Sequence, residues 1–183
     1  MSRAPLLLLL AGLAACSSVP RSANAHEPAP PFPAAWIGTW AGTVQVYDGR
    51  GARETFSMEL TIAPTDDPTR HEWRIVYDGS AGRSERPYEL VTRDAAHGEY
   101  AIDEGELELE ARYLGGALYT WFDVEGARLA VREELVDAGT PGEALAFELL
   151  SAGGDATVTS EADPSTSSHP PGNLQRALLR RAR

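Results

Sequence analysis

Trp36-Ile37-Gly38-Thr39-Trp40-Ala41-Gly42 is the stretch on which the reading of this chain turns. It follows a proline-rich run and opens a series of short segments whose hydrophobic period is two. Trp40, Gly42, Val44 and Val46 alternate with Thr39, Ala41, Thr43 and Gln45, the pattern of a strand with one buried face. Tyr47-Asp48-Gly49-Arg50-Gly51 then supplies turn residues.

The same alternation continues along the chain. Phe56, Met58, Leu60 and Ile62 alternate with Thr55, Ser57, Glu59 and Thr61, and Pro64 to Pro68 breaks the run. Trp73, Ile75 and Tyr77 follow, ending at Asp78-Gly79. Short strands are expected at residues 88–92 and 99–103, then one on Leu107, Leu109 and Ala111. Gly115-Gly116 leads into the aromatic segment 117–124, and Glu125-Gly126 into Leu129, Val131, Glu133 and Leu135. Leu145, Phe147 and Leu149 mark a further strand, and a weak one at 156–159 is expected to close the sheet. Eight to ten short strands with turns of this length predict an all-β fold, an antiparallel up-and-down barrel. Closure also removes the exposed edges that a meander leaves.

Gly38-Thr39-Trp40 resembles the Gly-x-Trp motif of the calycins, the superfamily of lipocalins and fatty-acid-binding proteins. The resemblance implies a lipocalin-like barrel stoppered at one end by Trp40, with Gly38 at the strand entrance. It also implies an arginine from a late strand stacked across the indole. The 145–150 strand has none, so Arg132, with Arg128 beside it, is the nearest candidate. The wording Gly-Thr-Trp-x-Gly is similar to the haem-binding nitrobindins too. Their haem needs a histidine late in the barrel, and His26, His71, His97 and His169 lie on no late strand, so no cofactor is expected.

Residues 1–15 carry one early charge, Arg3, and an apolar run at 6–10, which reads as a signal peptide too short to span a bilayer permanently. Leu13-Ala14-Ala15-Cys16 resembles the lipobox of bacterial lipoproteins, which implies cleavage before Cys16 and acylation of that cysteine. The alternative is an ordinary signal peptide. Two or more acyl chains anchor stably, at about 0.8 kcal/mol per buried CH₂. Ser17 after the cysteine implies, in that family, the outer membrane where the host has one. Residues 16–35, rich in proline, read as a tether holding a barrel of residues 36–160 clear of the bilayer. Residues 161–183 read as a disordered basic tail, with a short helix on Leu174, Leu178 and Leu179 as the alternative.

Net charge is −11, and every one of the sixteen basic residues is arginine. So acidic a chain repels phosphate backbones, which argues against a nucleic-acid partner. Cys16 is the only cysteine, so there is no internal disulfide and no cysteine metal site.

Met58, Trp73, Tyr77, Tyr88, Tyr119 and Trp121 are the candidate walls of a ligand cavity, suited to a small hydrophobic or amphipathic molecule. The alternative is a filled core, with the barrel serving as a docking module for another envelope protein. Glu133 holds an apolar register between Val131 and Leu135. Either it points inward, paired with an arginine such as Arg112 or Arg74 or meeting a ligand's polar end, or a bulge turns it outward. Glu106, Glu108 and Glu110, about 7 Å apart along one strand face, read as solvated surface before they read as a calcium site. No Gly-x-Ser-x-Gly, His-Glu-x-x-His or phosphate loop is present, and His71 near Asp66 and Asp67 is only a loose collection, so no catalytic residue is assigned and no enzyme is expected.

Overall fold

The computed structural model describes residues 31–153, 157–160 and 166–182. The expected signal peptide, Cys16 and the expected tether as far as residue 30 lie outside the described residues. Ten strands form one closed antiparallel barrel: β1 (Gly38–Asp48), β2 (Gly51–Pro64), β3 (Arg70–Gly79), β4 (Gly82–Asp94), β5 (Glu99–Asp103), β6 (Glu108–Leu114), β7 (Ala117–Val124), β8 (Ala127–Val136), β9 (Ala144–Gly153) and β12 (Asn173–Arg181). Each of the first nine pairs with its neighbour in sequence, and β12 lies between β9 and β1. The expected all-β up-and-down barrel is therefore the fold, at the upper end of the expected strand number.

Closure differs from the sequence expectation. The segment read as a disordered tail is β12. Arg176 pairs with Gln45 on one side and with Glu148 on the other, and Leu179 is fully buried. The weak strand at 156–159 is not the closing one. It is β10 (Thr157–Ser160), which pairs with β11 (Thr166–Ser168) in a separate two-stranded sheet. The physical reason is edge satisfaction: β1 and β9 each present a row of unpaired backbone groups, and only a strand between them satisfies both.

Both glycines of the opening motif make room for this closing strand. Gly38 has φ of +142°, and a Cβ there would lie 2.5 Å from Arg181 Nη1. A Cβ on Gly42 would lie 2.8 Å from the Leu178 carbonyl oxygen and 3.1 Å from the Leu179 side chain. A side chain at 42 would push β12 off the barrel, whereas one at 38 would be strained by the positive φ and would displace the Arg181 guanidinium.

The last residues of the expected tether also belong to the barrel. Residues 34–36 make a turn of 3₁₀ helix that buries Trp36 beneath Trp40. Phe32 stacks on Tyr113 at 4.4 Å and meets Tyr100 and Trp36 edge-on at 4.9 and 4.7 Å. Trp36 and Trp40 with Leu60, Ile62, Leu90 and Leu145 fill this end of the barrel. Core side chains of this size each contribute on the order of 1.5–3 kcal/mol when fully buried.

The wall is uneven at the opposite end. β5 has five residues and pairs with β4 only from Glu89 to Asp94. Residues 82–88 of β4 thus have no partner on that side, which is also how Pro87, lacking an N–H, is accommodated inside a strand. Outside, Arg70 bridges Glu89 and Asp103, Arg93 pairs with Glu108, and Arg112 with Glu99. Half-exposed pairs of this kind each contribute roughly 0–1 kcal/mol. Among the described residues, no helix is long and apolar enough to cross a membrane.

Candidate functional site

Two cavities occupy the end of the barrel opposite Trp36. The inner one holds about 150 Å³ and is walled by Trp73, Ile75, Tyr77, Tyr88, Phe122 and Phe147, with Thr120 and Glu133 as its polar groups. Glu104 and Leu109, beside the gap left by short β5, border it as well. The outer one holds about 350 Å³ and includes Glu54, Phe56, Ser84 and Gln175. Tyr77 stands in the wall of both, its ring edge-on to Phe56 at 5.7 Å.

Strand register explains which side chains meet here. Inward positions on β3 are Trp73, Ile75 and Tyr77, and Tyr88 on β4 lies opposite Trp73. On β8, Glu133 lies opposite Leu118 of β7 and Phe147 of β9, both buried. No bulge interrupts β8, so Glu133 keeps the inward register of Val131 and is only 4% exposed.

Of the expected cavity residues, Trp73, Tyr77, Tyr88 and Glu133 come together here. Tyr119 and Trp121 do not: they face outward, 39% and 72% exposed. The two-residue turn at Glu125-Gly126 sets Phe122 opposite Leu129 and Thr120 opposite Val131, so Leu118, Thr120 and Phe122 are the inward face of β7. That hairpin spacing was the signal available in the sequence; ring size pointed to the wrong face. Met58 is buried opposite Gly42 and Tyr77 in the packed part of the core, and it does not line the chamber.

Glu133 finds no arginine. Arg74 is taken up by Glu72 and Glu85, and Arg112 by Glu99, all on the outside. Among the described residues no hydrogen bond or ion pair reaches the Glu133 carboxyl. Burial alone pushes its pKa up to about 8. Burial also raises the Tyr77 phenol, with the Glu133 charge adding to the effect. The Tyr88 phenol is raised by burial and by Glu104, and lowered in part by Arg86 at the rim. An unpaired carboxyl in an aromatic chamber can ion-pair with a cation or, protonated, donate a hydrogen bond.

Gly38 and Trp40 sit where the motif placed them, but Arg132 does not stack on the indole. It donates from Nε to the Tyr119 hydroxyl at 3.2 Å and pairs with Glu134 on the outer surface. The stacking arginine is Arg181 of β12, its guanidinium carbon 4.2 Å from the Trp40 ring centroid. Arg181 Nη1 donates to the Ile37 carbonyl at 2.7 Å, and its Nε to Glu143 at 2.6 Å. The Glu143 carboxylate, held below its usual range, also accepts from the Gly139 N–H. The Trp40 indole donates to the Trp36 carbonyl at 2.8 Å. Sequence reasoning missed Arg181 because it assigned its segment to a tail.

The remaining candidates are structural. Asp67 accepts from Thr69 within its own turn, and the Glu106, Glu108 and Glu110 row is exposed. His71 Nδ1 is buried without a partner on the side of the barrel nearer Trp36.

No protein-family model and no curated protein matches the sequence. Among solved structures, the chain is similar to a protein of unknown function from the DUF3598 family of Nostoc punctiforme, with 14% sequence identity and a TM-score of 0.53. The match covers 81% of this chain and 48% of that one, so this chain spans about half the length of that structure. At this identity the likeness concerns the fold.

Proposed function

We propose that this chain is an exported lipoprotein, anchored through an acylated Cys16, whose calycin-like barrel holds a small hydrophobic or amphipathic molecule. The single observation that supports binding is the chamber of about 150 Å³ with an unpaired buried carboxyl in its wall. A volume near this figure suits one ring or a short chain, since pockets for larger ligands run from about 300 Å³ upward. Anchoring is supported by the lipobox-like Leu13-Ala14-Ala15-Cys16. Native mass spectrometry of the full-length protein from the membrane fraction tests the binding part; protein that arrives consistently empty, and stays empty when offered small aromatic probes, refutes it. The anchor is tested by Cys16→Ser, which should release the protein from membranes.

A second reading is supported by the outer surface. Trp121, Ala130, Leu150, Ala152 and Pro171 line an apolar groove of about 370 Å³ beside Arg128 and His169. Such a patch suits another envelope protein, and it is compatible with a ligand in the lumen. Pull-down from solubilised envelope with wild type and Trp121→Ser compares the two.

A further inference from the structure

We infer that the inner chamber is a site for small primary amines, the ammonium seated against Glu133 and the carbon frame among the aromatic rings. This rests on the ligand-binding reading above and narrows it to one class.

Glu133 is the buried ionisable group that faces the chamber, and no cation of the protein answers it. Around it stand Trp73, Tyr77, Tyr88, Phe122 and Phe147. The faces of such rings carry negative potential, so they attract an ammonium and repel a carboxylate. The approach has the same sign: Glu104 borders the chamber and Glu54 the outer cavity, against Arg86 at the rim. A ligand carboxylate could pair with Arg86, but its tail would then fill the chamber and leave Glu133 buried against hydrocarbon.

The proton balance of binding is distinctive. With its pKa near 8, the empty site is mostly protonated at neutral pH. An entering ammonium turns Glu133–COOH and R–NH₃⁺ into a carboxylate–ammonium pair, and one proton leaves to solvent. The other titratable or charged groups facing this space are the Tyr77 and Tyr88 phenols, Glu104 and Arg86. Both phenols titrate above their usual range, so at neutral pH the released proton comes from Glu133.

Calorimetry of the full chain with three probes of one size tests this: phenethylamine, 2-phenylethanol and 3-phenylpropionate. The amine should bind at least about tenfold tighter than the alcohol and release a proton, seen as a buffer-dependent heat. Glu133→Gln should erase both the preference and the release, so that amine and alcohol bind alike. Near-UV circular dichroism checks that the variant keeps its tryptophan environment; should it not fold, the wild-type ratio and proton count decide alone. Equal or better binding of the alcohol, or preference for the carboxylate, overturns the amine assignment and leaves the barrel a binder. Failure of all three probes to bind overturns both readings.

Discussion

The two ends of the barrel are built from the same kinds of side chain and end up differently. Phe32, Trp36, Trp40, Tyr100 and Tyr113 interlock at one end; Tyr77, Tyr88, Phe122 and Phe147, with Trp73 between the two groups, surround a chamber at the other. Aromatic content therefore does not decide which end is solid. Two backbone features do. A segment from outside the sheet, Phe32 to Trp36, folds into the first end, while Gly42 lets β12 press close there and Gly38 leaves room for the Arg181 guanidinium. At the second end no described segment enters from outside, and β5 stops short at Asp103, leaving a notch beside Tyr88 and Glu104.

The comparison breaks if the packed end tolerates truncation. Trp40→Ala should cost about 3–5 kcal/mol in urea unfolding, whereas Phe122→Ala, already beside empty space, should cost about 1–2. Equal losses would mean that the chamber wall is as tightly packed as the stoppered end.

A second difference is electrostatic. Between its unfolded value, near 4.5, and about 8 in the folded chain, Glu133 keeps its proton only when folded. Below pH 4.5 it is neutral in both states and indifferent. As pH rises toward 8 the unfolded state alone ionises, so stability falls, and above 8 the whole penalty is present. Glu133→Gln should remove this slope and stabilise the protein at pH 8 by on the order of a few kcal/mol, with little gain at pH 5. Thermal melts at the two pH values measure it, and an unchanged slope would place the carboxyl in water.

Arg181→Ala should cost about 1–2 kcal/mol through lost stacking and hydrogen bonds, while Arg132→Ala should cost less than about 0.5. Reversal of that order would return the stacking role to Arg132. Smallest of all, Trp121→Ser on the outer surface should move stability by less than about 0.5 kcal/mol and leave probe binding intact.

Much of this was legible in the sequence, and the failures have causes. Alternation marks β1, β2, β3, β8 and β9 because each has one face in the core and one in water. Glu133 betrayed itself by holding an apolar register. Segment 173–181 reads differently: Leu, Gln, Arg and Ala favour helices, and Leu174 and Leu178 face away from the core as a strand. Its conformation is imposed by the two open edges it joins, information held in β1 and β9. On β7 both faces are mixed, and bulk alone sent Tyr119 and Trp121 inward, where the hairpin spacing puts Thr120 and Phe122.

The bond from Arg181 to the Ile37 carbonyl spans 144 positions of sequence. During synthesis, then, the ring stays unsealed until almost everything between those residues has emerged, and its first and ninth strands wait with bare margins. The stopper is thus clamped by the strand that arrives last, and the plugged end becomes rigid only when the ring is complete.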